Sequence, residues 1–211
     1  NKKIKLSNDS VLNIKKSKAY LNTKLAESDK PFYGINTGFG SLYNVKISKR
    51  NLTKLQENLV MSHACGAGDE VATSIVKLML LFKIQSVSYG HSGVQLATVN
   101  RLIDFYNNDI TPVIYEQGSL GASGDLAPLA HMSLVLLGMG KVDMPNNKGC
   151  FDRKNTSDVM CEMGWKDIQL KSKEGLALLN GTQFMVAYGV WSLLKSQKLS
   201  YLSDLIGTIS L

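Results

Sequence analysis

Three cysteines, Cys65, Cys150 and Cys161, are an odd set without metal-ligand spacing, so neither a disulfide scaffold nor a metal centre is expected. They read as the reduced thiols of a cytoplasmic protein. No apolar stretch reaches membrane-spanning length, and the first residues lack the apolar centre of a signal peptide. Arginine is scarce: only Arg50, Arg101 and Arg153 stand among 24 basic residues. A nucleic-acid surface usually combines Arg with interleaved aromatics, so no nucleic-acid partner is expected. A Gly-Lys-Ser/Thr triplet is also missing, which argues against a nucleoside-triphosphate loop. Internal repeats and low-complexity linkers are absent.

What is present is a chain of 211 residues with ordinary globular proportions of charged and apolar side chains. That length builds one large domain or two small ones with a substantial core. The net charge is +7, and seven lysines against Asp9 alone place nearly all of it in residues 1–24. A run of lysines on a terminal segment reads as a solvated surface. Apolar spacing predicts helices over Leu52–Ala64, after a cap at Asp69 (Val71, Ile75, Leu78, Leu81, Phe82) and over 93–106. Residues 31–47 read as loop with short extended pieces, and Val113 to Tyr115 as an extended segment. Asp125 reads as the N-cap of a helix ending near Leu137. Residues 145–158 read as an exposed loop, and Glu174 to about Leu205 as one long apolar helix. The fold class is therefore mainly α, with a few short strands and loops.

Residues 118–128, Gly-Ser-Leu-Gly-Ala-Ser-Gly-Asp-Leu-Ala-Pro, contain the triplet Ala122-Ser123-Gly124. The amide nitrogen of Gly124 can add to the carbonyl carbon of Ala122, and loss of two waters leaves a five-membered methylidene-imidazolone. Gly124 has no side chain to obstruct closure, Ser123 supplies the departing hydroxyl, and Ala122 is small enough to allow compression. The product is an electrophile that no unmodified side chain supplies. A helix starting at Asp125 would direct its free N–H groups and positive dipole end toward negative charge developing on the ring. The plain alternative for such a loop is a turn or an anion site at a helix N-terminus.

Three further segments carry polar residues in unusual settings. Tyr33-Gly-Ile-Asn-Thr-Gly-Phe-Gly40 surrounds a tyrosine with glycines that permit close backbone approach. Met61-Ser-His-Ala-Cys-Gly-Ala-Gly68 puts His63 in the last turn of a helix. Gly175-Leu-Ala-Leu-Leu-Asn-Gly-Thr-Gln183 puts Asn180 inside an apolar helix, where its amide needs partners. Each also has an ordinary reading: a core aromatic, a cation at a helix C-terminus, a packing hydrogen bond.

Together, YGINTGFG at 33–40, SHACGAG at 62–68, GSLGASGDLAPLAHMSLVLLG at 118–138 and EGLALLNGTQ at 174–183 resemble the histidine ammonia-lyase branch of the aromatic amino-acid lyases. The resemblance runs from about residue 30 to the end. It implies that the chain is the helical N-terminal catalytic portion of that fold, residues 1–211 forming a single unit. Ala122, Ser123 and Gly124 would form the methylidene-imidazolone, with no metal or dissociable cofactor. Tyr33 would be the base for the β-proton, Asn180 would hydrogen-bond near the ring, and His63 would lie beside the substrate side chain. The implied reaction is elimination of ammonia from L-histidine to trans-urocanate, in histidine catabolism. The Ser62-His63 pair favours the histidine branch over the phenylalanine branch. Alternatives are a tyrosine or phenylalanine ammonia-lyase, an aminomutase, or a non-catalytic helical interaction module.

Length departs from the family pattern. Relatives are longer, assemble as homotetramers, and complete the site with C-terminal helices that include a cationic clamp for the substrate carboxylate. None of the three arginines here lies in a matching motif. The expectation is a fragment of a longer lyase that carries the electrophile and is inactive, or nearly so, by itself.

Overall fold

A computed structural model describes residues 2–28, 30–38, 40, 43–45, 47–121, 124–146 and 149–210. Ala122 and Ser123 therefore lie outside the described residues. The first element is α1 (Asn8–Glu27), started by Ser7, whose hydroxyl accepts the Ser10 amide at 3.1 Å, with Asp9 in its first turn and Lys24 in its last. Both charges oppose the helix dipole. The lysine-rich start is thus helical rather than only a charged end, with Ile14 buried beneath it.

Helix α2 (Leu52–His63) follows a short 3-10 turn and buries Gln56, Leu59 and Val60. Strand β1 (Ala67–Glu70) comes next. Asp69 therefore lies in a strand and caps nothing: α3 (Thr73–Ser88) begins after Ala72, without a side-chain cap. Its buried face is Ile75, Val76, Met79, Leu80, Lys83, Ile84 and Val87, while Leu78, Leu81 and Phe82 are only half-buried. Helix α4 (Leu96–Asn107) buries Val99, Leu102 and Ile103, as its spacing predicts.

Strands β2 (Thr111–Pro112) and β3 (Tyr115–Gln117) occupy the predicted extended region. β3 pairs with β1 in an antiparallel ribbon. Helix α5 (Leu126–Leu134) runs into a 3-10 turn, Val135–Leu137, and ends at Gly138. Residues 145–158 are not simply a loop. β4 (Lys141–Pro145) and β5 (Phe151–Asn155) form an antiparallel hairpin, β4 also pairs with β2, and α6 (Thr156–Glu162) follows. Lys141 opposite Asn155 and Pro145 opposite Phe151 set the register.

The long C-terminal helix is broken. α7 (Glu174–Leu179) and α8 (Gln183–Ser210) are separated by Asn180, Gly181 and Thr182. Asn180 is thus a helix C-cap with an exposed side chain, rather than a buried amide inside a helix. α3, α4, α5 and the start of α8 enclose one core in which Met79, Leu80, Leu102, Phe105, Leu129, Met132 and Leu136 have no measurable exposure. The far part of α8 leaves that core, and Leu193, Leu194, Leu199, Tyr201, Leu205, Ile206 and Ile209 are exposed. Among the described residues no helix is long and apolar enough to cross a membrane.

Candidate active site

The loop that displays Tyr33 is tied by its own polar residues. Asn36 Oδ1 accepts the Phe32 amide at 2.6 Å, and Asn36 Nδ2 donates to the Lys30 carbonyl at 3.0 Å. Thr37 Oγ1 accepts from the Gly34 amide and donates to the Gly38 carbonyl. Asn36 and Thr37 are buried, whereas the Tyr33 side chain is exposed. The sequence motif therefore divides its work: the Asn-Thr pair holds the turn and the tyrosine faces outward.

His63 ends α2. Its Nδ1 lies 2.9 Å from the Leu59 carbonyl and 3.2 Å from Ser62 Oγ. A carbonyl can only accept, so Nδ1 carries a proton, and in the neutral ring Nε2 is the acceptor. Ser62 Oγ itself donates to Leu59 O at 3.1 Å. The chain leaving His63 is pinned by a residue the sequence reading missed: the Gly66 amide donates to His131 Nε2 at 3.0 Å. Burial lowers the His131 pKa, which favours the neutral ring this bond requires. Tyr115 meets the His131 ring edge-on, with centroids 5.2 Å apart.

Gly124 has φ +107°, a conformation essentially reserved for glycine. A Cβ built there would stand 2.8 Å from the Gly181 carbonyl oxygen, 2.9 Å from the Gly181 nitrogen and 3.1 Å from Asn180 Oδ1. The last residue of the triplet is thus seated on the α7–α8 turn, in a cradle that a methyl group would fill. Nearby, Gln183 Oε1 is a buried acceptor without a hydrogen-bond partner.

Asp125 accounts for that close approach. Its amide donates to the Gly181 carbonyl at 2.7 Å. Its Oδ2 accepts the Phe184 and Met185 amides at 3.0 and 3.1 Å, and its Oδ1 accepts the Ser119 hydroxyl at 2.8 Å. Asp125 does precede α5, but its side chain makes no capping bond there. The carboxylate caps α8 instead, satisfying two of its free N–H groups. The negative charge beside the triplet therefore faces the α8 dipole, while the N-terminus of α5 begins two residues after Gly124.

Tyr33, His63 and Asn180, from three separate segments, line one cleft of 240 Å³ together with Gly40, Leu59, Leu126, Leu176 and Leu179. The cleft is apolar apart from those three polar side chains. Of the candidate residues, the structure brings Tyr33, His63 and Asn180 together and sets Gly124 against Asn180; Ala122 and Ser123 lie outside the described residues. No described arginine lines the cleft. Arg101 donates to Lys166 O and stacks on Trp165, and Arg153 binds Glu70 and Asp143.

The aromatic amino acid lyase family matches residues 1–211. A histidine ammonia-lyase of Staphylococcus aureus is 41% identical over 208 residues, covering 99% of this chain and 40% of its own length. The chain thus spans about two-fifths of the length of the curated relatives it matches. The crystal structure of histidine ammonia-lyase from Trypanosoma cruzi superposes with a TM-score of 0.85 at 35% identity, covering 96% of this chain and 38% of that one. An ergothioneine-degrading enzyme, ergothionase from Treponema denticola, gives 0.89 at 28% identity, covering 97% and 40%. With this agreement over its whole length, and with the cleft that its four motifs build, the chain belongs to the aromatic amino acid lyase family.

Proposed function

We propose that this chain is the electrophile-forming portion of a histidine ammonia-lyase, a carbon–nitrogen lyase that converts L-histidine to trans-urocanate and ammonia. The observation that carries the reading is the meeting of Tyr33, His63 and Asn180 in one cleft, with Gly124 seated against Asn180. The Gly124 cradle fits a methylidene-imidazolone made from Ala122, Ser123 and Gly124. Such a group supplies an electrophile that turns a poor leaving amine into a better one.

The chain's own residues would do the rest. Tyr33, exposed at the cleft, takes the β-proton. His63, with its proton on Nδ1, offers Nε2 as an acceptor for an N–H on the substrate side chain. This favours an imidazole over a phenyl ring, which has no hydrogen to donate in that direction. Asn180 holds polar atoms of the substrate and of the triplet in register. Leu59, Leu126, Leu176 and Leu179 restrict water around them.

The substrate carboxylate calls for a cationic clamp, and the cleft contains no arginine or lysine among the described residues. The reaction therefore needs residues from outside this cleft, and these 211 residues alone are expected to be inactive or nearly so. The exposed apolar side chains on the far part of α8 support assembly into a homotetramer in which other subunits complete the site. The free, exposed Cys65, Cys150 and Cys161 support a reducing, cytoplasmic location.

Product formation tests the substrate. The chain is assayed alone and with the C-terminal region of the Staphylococcus aureus relative, against L-histidine, L-phenylalanine and L-tyrosine. Urocanate from the combination, with none from the chain alone, is the expected result. Cinnamate or coumarate in its place would transfer the activity to another side-chain class, and full turnover by the chain alone would overturn the need for a second segment.

A further inference from the structure

Among the largest fully buried side chains of the described residues is a lysine. Lys83 lies on the core face of α3 with 1% of its surface exposed, among Met79, Leu80, Ile84 and Val87. A buried ammonium without compensation is costly enough that such residues are rare. The compensation here comes from the candidate site. Lys83 Nζ donates to the Ala177 carbonyl at 3.2 Å, in the last turn of α7, where carbonyls lack intrahelical partners and the dipole is negative. The second influence on Lys83 is the charge of Asp125, which favours the ammonium against its desolvation.

Those two partners flank a single turn. Ala177 stands three residues before Asn180. Asp125 binds Gly181 O through its amide, and Phe184 N and Met185 N through its carboxylate. The same carboxylate takes the Ser119 hydroxyl, so it also ties the start of the loop that leads into the triplet. The turn carrying Asn180 is thus held from its α7 side by the Lys83 amine, as a hydrogen-bond donor, and from its α8 side by the Asp125 carboxylate.

We propose that Lys83 is a positioning residue of this site: reaching from α3, it works with Asp125 to clamp the Asn180–Thr182 turn in the place where it meets Gly124. The clamp itself follows from the contacts just described. Its consequence for ring closure rests on the function proposed above. Lys83 does not line the cleft and is not a catalytic residue.

The test uses the full chain with Lys83→Met, of similar length but without a hydrogen-bond donor, and Lys83→Arg, which keeps N–H donors at the end of a long side chain. Hydrogen exchange is followed at the Phe184 and Met185 amides and, for reference, at core amides of α4. Lys83→Met is expected to raise exchange at 184 and 185 at least tenfold while the α4 amides keep their protection, and Lys83→Arg is expected to restore most of it. Unchanged protection at 184 and 185 in a folded Lys83→Met chain overturns the proposal. Uniform loss of protection, or failure of both variants to fold, also overturns it, since either shows a general packing role. Intact mass is read in parallel. Where the unaltered chain lacks two waters, the Met variant is expected to show a larger fraction of full mass. Where the unaltered chain has full mass, the ring-closure reading fails in this chain and the exchange result still decides the clamp.

Discussion

Replacing Gly124 by alanine isolates the contact that joins the triplet to the rest of the site. The backbone there has φ +107°, and a non-glycine residue held in so sparsely populated a region costs roughly 1–3 kcal/mol. The added Cβ would also stand 2.8 Å from the Gly181 oxygen and 2.9 Å from its nitrogen. That oxygen is fixed by the Asp125 amide at 2.7 Å, so it cannot retreat without breaking a buried bond. Overpacking of this kind adds roughly 1–3 kcal/mol. The combined loss should be about 4 kcal/mol, which for a chain of this size lowers the melting temperature by on the order of 10 °C. Gly164→Ala is the control. Its φ is +65° with nothing within 4 Å of the added Cβ, so only strain of about 1 kcal/mol is expected. Thermal unfolding by circular dichroism, checked by urea midpoints, measures both variants. Equal losses at 124 and 164 would refute the close approach of the triplet to the α7–α8 turn.

Lys83 makes stability depend on pH. Burial pushes its pKa down to about 7 from the usual 10.5, the unfolded chain therefore binds the extra proton between those values, and stability should rise as pH increases from 7 toward 10.5. The full difference corresponds to on the order of 5 kcal/mol, and urea midpoints in that range should show the rise lost in Lys83→Met. His131 acts on the acid side: with its pKa depressed by burial, its contribution is present above the ordinary histidine pKa and is lost as pH falls through the lower folded value. Exchange at the Gly66 amide should accelerate there, and His131→Ala should give the same loosening at neutral pH, at a cost of about 1–3 kcal/mol. Tyr33→Phe should leave stability within about 0.5 kcal/mol, because the side chain is exposed. In the complemented enzyme it should lower kcat for urocanate formation by roughly 10²–10⁴.

The parts of the site legible in the sequence were those that local chemistry determines. The glycines around Tyr33, the histidine in the last turn of α2 and the small-Ser-Gly triplet each carry their reason within a few residues. The break at Asn180–Thr182 was hidden because apolar residues continue on both sides with helical spacing. What opens the helix is Asp125, distant in sequence, whose carboxylate captures the Phe184 and Met185 amides. Asp125 itself suggested a local cap, since an aspartate before an apolar run gives no sign that its partners belong to another helix. The same limit applies to Lys83. Within Leu-Leu-Phe-Lys-Ile it looks like a lysine extending its head to solvent, and only the packing of α8 against α3 and the bond to the Ala177 carbonyl show otherwise. Residues 145–158 look like a loop in the sequence because β5, which they contain, is polar and leaves little surface buried.

The central claim is that Ala122-Ser123-Gly124 closes on itself, and the intact mass of the purified chain tests it most directly. The expected mass is two waters below that of the encoded sequence, with the deficit mapped to the peptide holding residues 118–128 and abolished by Ser123→Ala. A full mass with an unmodified Ser123, in the chain alone and in its complemented assembly, would contradict it.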